Sequence, residues 1–365
     1  MNPKKTAEYE YWKDYQDLIP FPLDKNYCGE YFGNRAQSPI DVWDTGAECF
    51  EHHEIRDRPG DFQINDTEVM KQILPSKLRI LYPLRTGEEP DPPNADIPHG
   101  WGKQLDVRHI DMKFPSEHRL MGKQYPGEYQ VYILAESGRG AAAISILMDY
   151  HPKNRSNRHM QLAIDEFQRV YDADLEACER KRRRRGQVLF EKSLLDAIFE
   201  ENEYFQKWVG EDKNVTASKG FDAQVHNIDV RNLQDEGKED KDPLTTPGKW
   251  DPFSARYIMR SIWFYGYRGS LTEPPCTPFV QWRIIDTPML LSREQISQLK
   301  SILFNHVDSD CNPTSVHFKG SVARPIQHNR TYDVHRCTCR DFLSDEETFE
   351  TGVKKCPLAG NEHLD

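Results

Sequence analysis

Residues 109–134 read HIDMKFPSEHRLMGKQYPGEYQVYIL, two strand-like runs joined by a segment of turn-forming residues. Side chains two apart on a strand share a face, so His109, Asp111 and Lys113 are expected to project together from the first strand, Val107–Lys113. Glu128, Gln130 and Tyr132 are expected beside them from the second strand, Glu128–Leu134. A buried Lys or Asp without a partner costs several kcal/mol, so opposite charges at neighbouring inward positions predict a pair.

The stretch resembles one found in the alpha-class carbonic anhydrases. There, a Gln-Phe-His-Phe-His strand leads through Pro-Ser-Glu-His and a Gly-Lys-x-Tyr turn into a strand reading Glu-x-His. Pro115-Ser116-Glu117-His118 and Gly122-Lys123-Gln124-Tyr125 match this frame without a gap, which places the family's three histidine positions on Asp111, Lys113 and Gln130. Further anchors agree in order along the chain. Gln37-Ser38-Pro39-Ile40-Asp41 resembles the family's Gln-Ser-Pro-Ile-Asp, and Gly269-Ser270-Leu271-Thr272-Glu273-Pro274-Pro275-Cys276 resembles its Gly-Ser-Leu-Thr-Thr-Pro-Pro-Cys. Trp282 follows at the family's distance, and Arg324-Pro325-Ile326-Gln327 with Asn329-Arg330 is similar to its closing Arg-Pro-x-Gln and Asn-Arg. The resemblance covers roughly residues 27–150 and 248–333.

The resemblance implies a mainly β fold: a central, twisted, mostly antiparallel sheet with peripheral helices. Residues 1–26 form a charged, aromatic lead-in, 27–333 the domain with a helical and loop insertion over about 150–247, and 334–365 a Cys-containing tail. The residues themselves support strands between Phe62 and Pro83, a Pro-rich acidic loop over 87–100, and an apolar strand over Ala141–Met148. Within the insertion, Ile164, Phe167, Tyr171, Leu175 and Cys178 recur at helical spacing. Leu194, Ile198, Phe205 and Val209 do so after a candidate N-cap, Ser193. Between the two helices lies the run Arg180-Lys181-Arg182-Arg183-Arg184-Arg185, read here as a solvated helix end; a proprotein-convertase site and an anion-binding patch are the alternatives. Residues 212–249 read as a polar connector.

Composition narrows the classes of function. The 365 residues carry 59 acidic and 48 basic side chains, a net charge of −11, which disfavours nucleic acid as a partner. No run of about 18 apolar residues is present, so no helical membrane span is expected. Cys28 and Cys276 occupy positions that many secreted members of the family join in a disulfide, which implies a secretory or lumenal compartment. Sequons at Asn65, Asn154, Asn214 and Asn329 are compatible with it, whereas the opening residues, MNPKKTAEYEYWKDYQ, do not read as a secretory leader.

A catalytic zinc requires three good donors and an open fourth position. The three matched positions offer a carboxylate, an ammonium and an amide, of which the ammonium has no lone pair and the amide oxygen is a poor ligand. The resemblance therefore implies no cofactor. The Lys113 ammonium is expected to stand in for the metal's charge, neutralised by Asp111 and Glu128, with Gln130 completing the hydrogen bonds. Tyr132 replaces a small apolar residue and is expected to fill the carbon dioxide pocket, of which Leu271, Val280 and Trp282 match the hydrophobic wall. Glu117 and Thr272 match the pair that orients the family's zinc-bound hydroxide. His99 is a candidate proton shuttle by position alone, and a surface histidine is the competing reading.

The expectation is a carbonic-anhydrase-related binding or structural module that engages a protein or small molecule. The alternative is a carbonate dehydratase with zinc on His109, Asp111 and Glu128, or His118 in place of Glu128, using Thr272 and Glu117 as catalytic residues. A storage or matrix protein is a third class, although the acidic repeats of a mineral binder are missing. A second candidate zinc set, His335, Cys337, Cys339 and Cys356, competes with disulfides among these cysteines, Cys49, Cys178 and Cys311. The residues do not specify an oligomeric state.

Overall fold

The computed structural model describes residues 27–28, 37–43, 45, 49, 57–84, 90–95, 105–134, 141–184, 250–261, 263–327 and 334–337. The expected lead-in segment, the helix expected after Ser193, the expected 212–249 connector, His99, Arg185, Asn214, Asn329, Cys339 and Cys356 lie outside the described residues. The chain divides into two compact units, residues 1–178 with 242–365, and residues 179–241. Of the second unit, residues 179–184 are described, and they form the end of a helix.

The described strands are β1 (Asp41–Val42), β2 (Asp57–Arg58), β3 (Met70–Leu74), β4 (Lys77–Leu81), β5 (Asn94–Ala95), β6 (Leu105–Lys113) and β7 (Arg119–Leu120). They continue with β8 (Lys123–Gln124), β9 (Gly127–Leu134), β10 (Ala141–Tyr150), β11 (Phe264–Gly269), β12 (Val280–Ile285), β13 (Met289–Leu291) and β14 (His335–Cys337). Two helices among the described residues accompany them, α1 (Arg158–Arg184) and α2 (Arg293–Phe304).

The main sheet runs β14-β11-β12-β10-β9-β6-β4-β3, with β13 on β10 and the β2–β5 pair on β6. Among its described strands, the β10–β12 and β10–β13 pairings are parallel and the others antiparallel. This mainly β, mixed sheet agrees with the expected fold class. A small second sheet, β1-β7-β8, joins the Gln-Ser-Pro-Ile-Asp segment to the turn after β6.

Each face of the sheet has its own packing partner. Residues 141–148 of β10 are all buried, as an apolar run covered on both sides requires. Ala142, Ile144, Ile146 and Met148 pack with Ile110, Met112 and Val131 against Met160, Ile164 and Phe167 of α1 and Ile296, Leu299 and Leu303 of α2. The expected helical stripe is thus present, except that Leu175 is 36% exposed and Tyr171 only partly buried. Asn157 caps α1 by accepting from the Met160 N–H at 3.0 Å.

The opposite face of β10, at Ala141, Ala143 and Leu147, packs with Tyr132, Tyr267, Val280 and Trp282 and with Ile40, Val42 and Leu120 of the small sheet. Gly269 permits this closure, because a Cβ there would lie 2.1 Å from the Ser38 hydroxyl. The polar side chains of β4, β6 and β9 share this second face.

Candidate functional site

Register aligns the polar residues in rows across the strands. Asp111 on β6 lies opposite Arg79 on β4 and Gln130 on β9, and Gln130 lies opposite Ser145 on β10. In the next row, His109 lies opposite Tyr132, which faces Ala143 and through it Trp282 and Tyr267. A shift in register between Val107 and His109 brings the imidazole level with the phenol, and the two rings stack with centroids 4.7 Å apart. Tyr132 is 4% exposed, meets the edge of Trp282, and donates its hydroxyl to Gln130 Oε1 at 3.0 Å.

The charges form a closed network. Arg79 grips Asp111 with two bonds, Nε to Oδ1 at 2.7 Å and Nη2 to Oδ2 at 2.8 Å, and the Lys77 ammonium lies 3.4 Å from Oδ2. Lys77 also pairs with Glu273. The Lys113 ammonium is 1% exposed and lies 3.0 Å from Glu117 Oε2 and 2.8 Å from Glu273 Oε1, while donating to Thr272 Oγ1 at 3.1 Å. Three cations, Lys77, Arg79 and Lys113, thus face three carboxylates, Asp111, Glu117 and Glu273.

The pairing corrects the sequence-based assignment. Lys113 is met by Glu117 and Glu273, whereas Asp111 belongs to Arg79 and Lys77. Glu128 Oε2 accepts the backbone N–H groups of Glu117 and His118 at 2.7 and 2.8 Å. Its Oε1 accepts from Ser145 at 2.7 Å and Gln130 at 2.9 Å and meets the His118 ring at 2.7 Å. Strand alternation gives the face of a side chain but not its reach, and the long Lys113 stem carries its ammonium to the turn after β6 and the loop after β11.

His118 continues the network from Glu128 to the Tyr267 hydroxyl at 2.7 Å, and Tyr267 meets Ser38 Oγ at 2.7 Å. The two matched motifs are therefore tied together through buried polar side chains.

Burial alone would raise the Glu273 pKa, but Lys113 and Lys77 hold it well below the ordinary carboxylate value. Asp111 is likewise held down, against burial, by Lys77, His109 and Arg79. Burial disfavours a charged Lys113, yet Glu117 and Glu273 keep its pKa well above normal. Glu128, raised by burial, is brought down to about 2 by His118 and its other hydrogen bonds. His109 goes the other way: burial lowers it to about 4, with Arg79 and Lys77 reinforcing the shift against Asp111. Asp111, Glu128, Glu273 and Lys113 are thus held in their charged forms at neutral pH, while His109 is held uncharged.

These side chains do not fit a catalytic zinc. Both Asp111 oxygens are held by cations, the Lys113 ammonium has no lone pair, and Gln130 Oε1 accepts from Tyr132. In the alternative set, His109 Nε2 lies 3.6 Å from Asp111 Oδ2, but Glu128 is turned to His118, Ser145 and Gln130. Among the described residues, no three His, Cys, Asp or Glu side chains are arranged to hold an ion. Cys337 is disulfide-bonded to Cys49, which removes its thiolate from the proposed His335-Cys337-Cys339 set. Cys28–Cys276 and Cys178–Cys311 are the other described bridges, the first as the resemblance implied.

Sequence reasoning missed Glu273, Lys77 and Arg79. Glu273 carried a visible signal, since it is the departure from the matched Gly-Ser-Leu-Thr-Thr-Pro-Pro-Cys octapeptide. Lys77 and Arg79 alternate with Leu78 and Ile80, a pattern that ordinarily places polar residues in solvent.

A family model for eukaryotic-type carbonic anhydrase matches residues 188–337, a span that includes Thr272, Glu273 and Trp282 but begins after β6 and β9. Human carbonic anhydrase 12 is 44% identical over 50 residues, 13% of this chain and 14% of that protein. Alpha carbonic anhydrase 3 of Arabidopsis thaliana is 50% identical over 52 residues, 14% of this chain and 18% of that protein. A nacrein-like protein of Mytilus californianus is 37% identical over 73 residues, 20% of this chain and 21% of that protein. The matches thus span about a fifth or less of these curated relatives.

Among solved structures, carbonic anhydrase Cah3 from Chlamydomonas reinhardtii, in complex with acetazolamide, aligns over 87% of this chain and 97% of its own at 16% identity, with a TM-score of 0.45. The Thermovibrio ammonificans alpha-carbonic anhydrase, in complex with sulfanilamide, aligns over 82% and 86% at 18% identity, with a TM-score of 0.41. Over residues 188–337 and the short stretches matched by these curated relatives, the chain is similar to the carbonic anhydrases.

Proposed function

We infer that this chain is a carbonic-anhydrase-related protein that does not hydrate carbon dioxide by the zinc route and serves as a binding or structural module. The observation that carries this reading is the Lys113 ammonium, enclosed by Glu117, Glu273 and Thr272. Glu117 and Thr272, which in the family orient a metal-bound hydroxide, here solvate a lysine. Tyr132 stands where substrate would enter and is held from both sides, by its hydroxyl on Gln130 and its ring on His109. The three described disulfides favour a secreted or lumenal location. No helix among the described residues is long and apolar enough to cross a membrane.

The test is the carbon dioxide hydration rate of the disulfide-intact protein in zinc-supplemented buffer. It is compared with a variant carrying Asp111→His, Lys113→His, Gln130→His, Tyr132→Ala and Glu273→Thr. The native protein is expected to match the uncatalysed rate and the variant to exceed it. Acceleration by the native protein, or one tightly held zinc per chain, overturns the reading in favour of a lyase with a remodelled centre.

A further inference from the structure

Two of the four sequons fall on described residues, and the structure separates them. We propose that Asn65 is an N-glycan attachment site, whereas Asn154 is a structural asparagine that carries no glycan. The proposal rests on the secretory reading above, and the test supplies its own leader so that the two fail separately.

Asn65 lies in a hydrogen-bonded turn. Phe62, Ile64 and Val69 are buried and anchor the segment on both sides. Asp66 closes the turn: its Oδ2 accepts from Gln63 N at 2.6 Å, its N–H donates to Gln63 O at 3.2 Å, and its carbonyl accepts from Val69 N at 3.2 Å and Lys71 Nζ at 3.0 Å. Asn65, Thr67 and Glu68 are left exposed, and the Asn65 amide has no hydrogen-bond partner among the described residues. A bulky, hydrated sugar there adds to the surface without displacing a contact.

Asn154 is also exposed, but each end of its amide is in use. Nδ2 donates to both Glu294 oxygens at 3.1 and 3.0 Å, and Oδ1 accepts from Arg293 N at 2.8 Å. These bonds fasten the loop after β10 to the first turn of α2, and Asn154 adopts a φ of 50° in that loop. A glycan on Nδ2 would replace one donor hydrogen and press against Glu294. In the transfer itself, the asparagine amide nitrogen bonds to the anomeric carbon of a lipid-diphosphate-linked oligosaccharide. The glycosyl–phosphate bond breaks, the lipid diphosphate leaves, and the amide gives up one proton.

The full chain, with a heterologous cleavable leader and N214Q/N329Q substitutions, is translated with microsomes, and translocation is read by protease protection. One endoglycosidase-sensitive mobility step is expected, lost in Asn65→Gln and retained in Asn154→Gln. A protected chain with no step, or a step that Asn154→Gln removes, overturns the proposal. Whether the native chain enters the secretory pathway is read separately, from the disulfide state of the protein in its source.

Discussion

Lys113 and Glu273 pair across different segments, each with one further partner, Glu117 for the lysine and Lys77 for the carboxylate. Removing one partner of a buried, hydrogen-bonded pair leaves an uncompensated ion, at a cost of about 3–5 kcal/mol. Lys113→Met is therefore expected to lower the denaturation midpoint by that order. Adding Glu273→Gln to Lys113→Met is expected to recover part of the loss, because it discharges one of the two carboxylates that face the lost ammonium. Additive losses in this double-mutant cycle would contradict the direct pairing. His109 gives a pH signature of defined sign. Its pKa is about 4 in the fold against 6.5 for the free side chain, so the unfolded chain binds the extra proton between those values. The fold should lose about 3 kcal/mol as pH falls from 6.5 to 4. Glu128, at about 2 against 4.5, extends the acid loss over that lower window. Urea midpoints from pH 7 to pH 4 check the first window: His109→Gln should flatten the slope, and an unchanged slope would remove His109 from the account.

Among the elements, the strands of the site were legible and their chemistry was partly so. The alternation at Asp111–Lys113 and Glu128–Tyr132 predicts which side chains share a face, and β6 and β9 place them there. The same period applied to β4 misleads, because Lys77 and Arg79 alternate with apolar residues as on an ordinary half-exposed strand. Here the polar side of that strand is enclosed. The start of α2 illustrates a join that no local pattern reveals. Gln295 closes a capping box with Ser292, and its amide also accepts from Asn157 N at 2.8 Å and donates to Asn157 O at 2.9 Å. The side chain that ends one helix cap thus clamps the start of α1. Gln295→Leu is expected to cost about 2–3 kcal/mol by leaving buried backbone groups unpaired. Ser292→Ala should cost about 1 kcal/mol, as for an ordinary cap. Thermal denaturation of the two variants distinguishes the clamp from the cap, and equal losses would deny the clamp.

At the scale of the molecule, the three bridges among the described residues link distant parts of the chain, with sequence separations of 248, 288 and 133 residues. Loops this long restrict the unfolded ensemble strongly, and each bridge should contribute about 2–4 kcal/mol. Reduction is expected to lower the melting temperature in steps as bridges are lost. A reduced protein melting with the oxidised one would show that the sheet and helices suffice alone. The sequence by itself carried the resemblance to the carbonic anhydrases and the mainly β sheet, because ordered motifs and alternating strands are local patterns. It also set a carboxylate, an ammonium and an amide at the three matched positions, because donor chemistry follows from residue type. Only the tertiary structure decided which charges meet: Glu273 reaches Lys113 across 160 residues of chain, 273 less 113, and Asp111 is taken by a cation from a neighbouring strand. Pairing in a buried network depends on side-chain reach and on what packs across the sheet, and neither is encoded in the spacing along one strand.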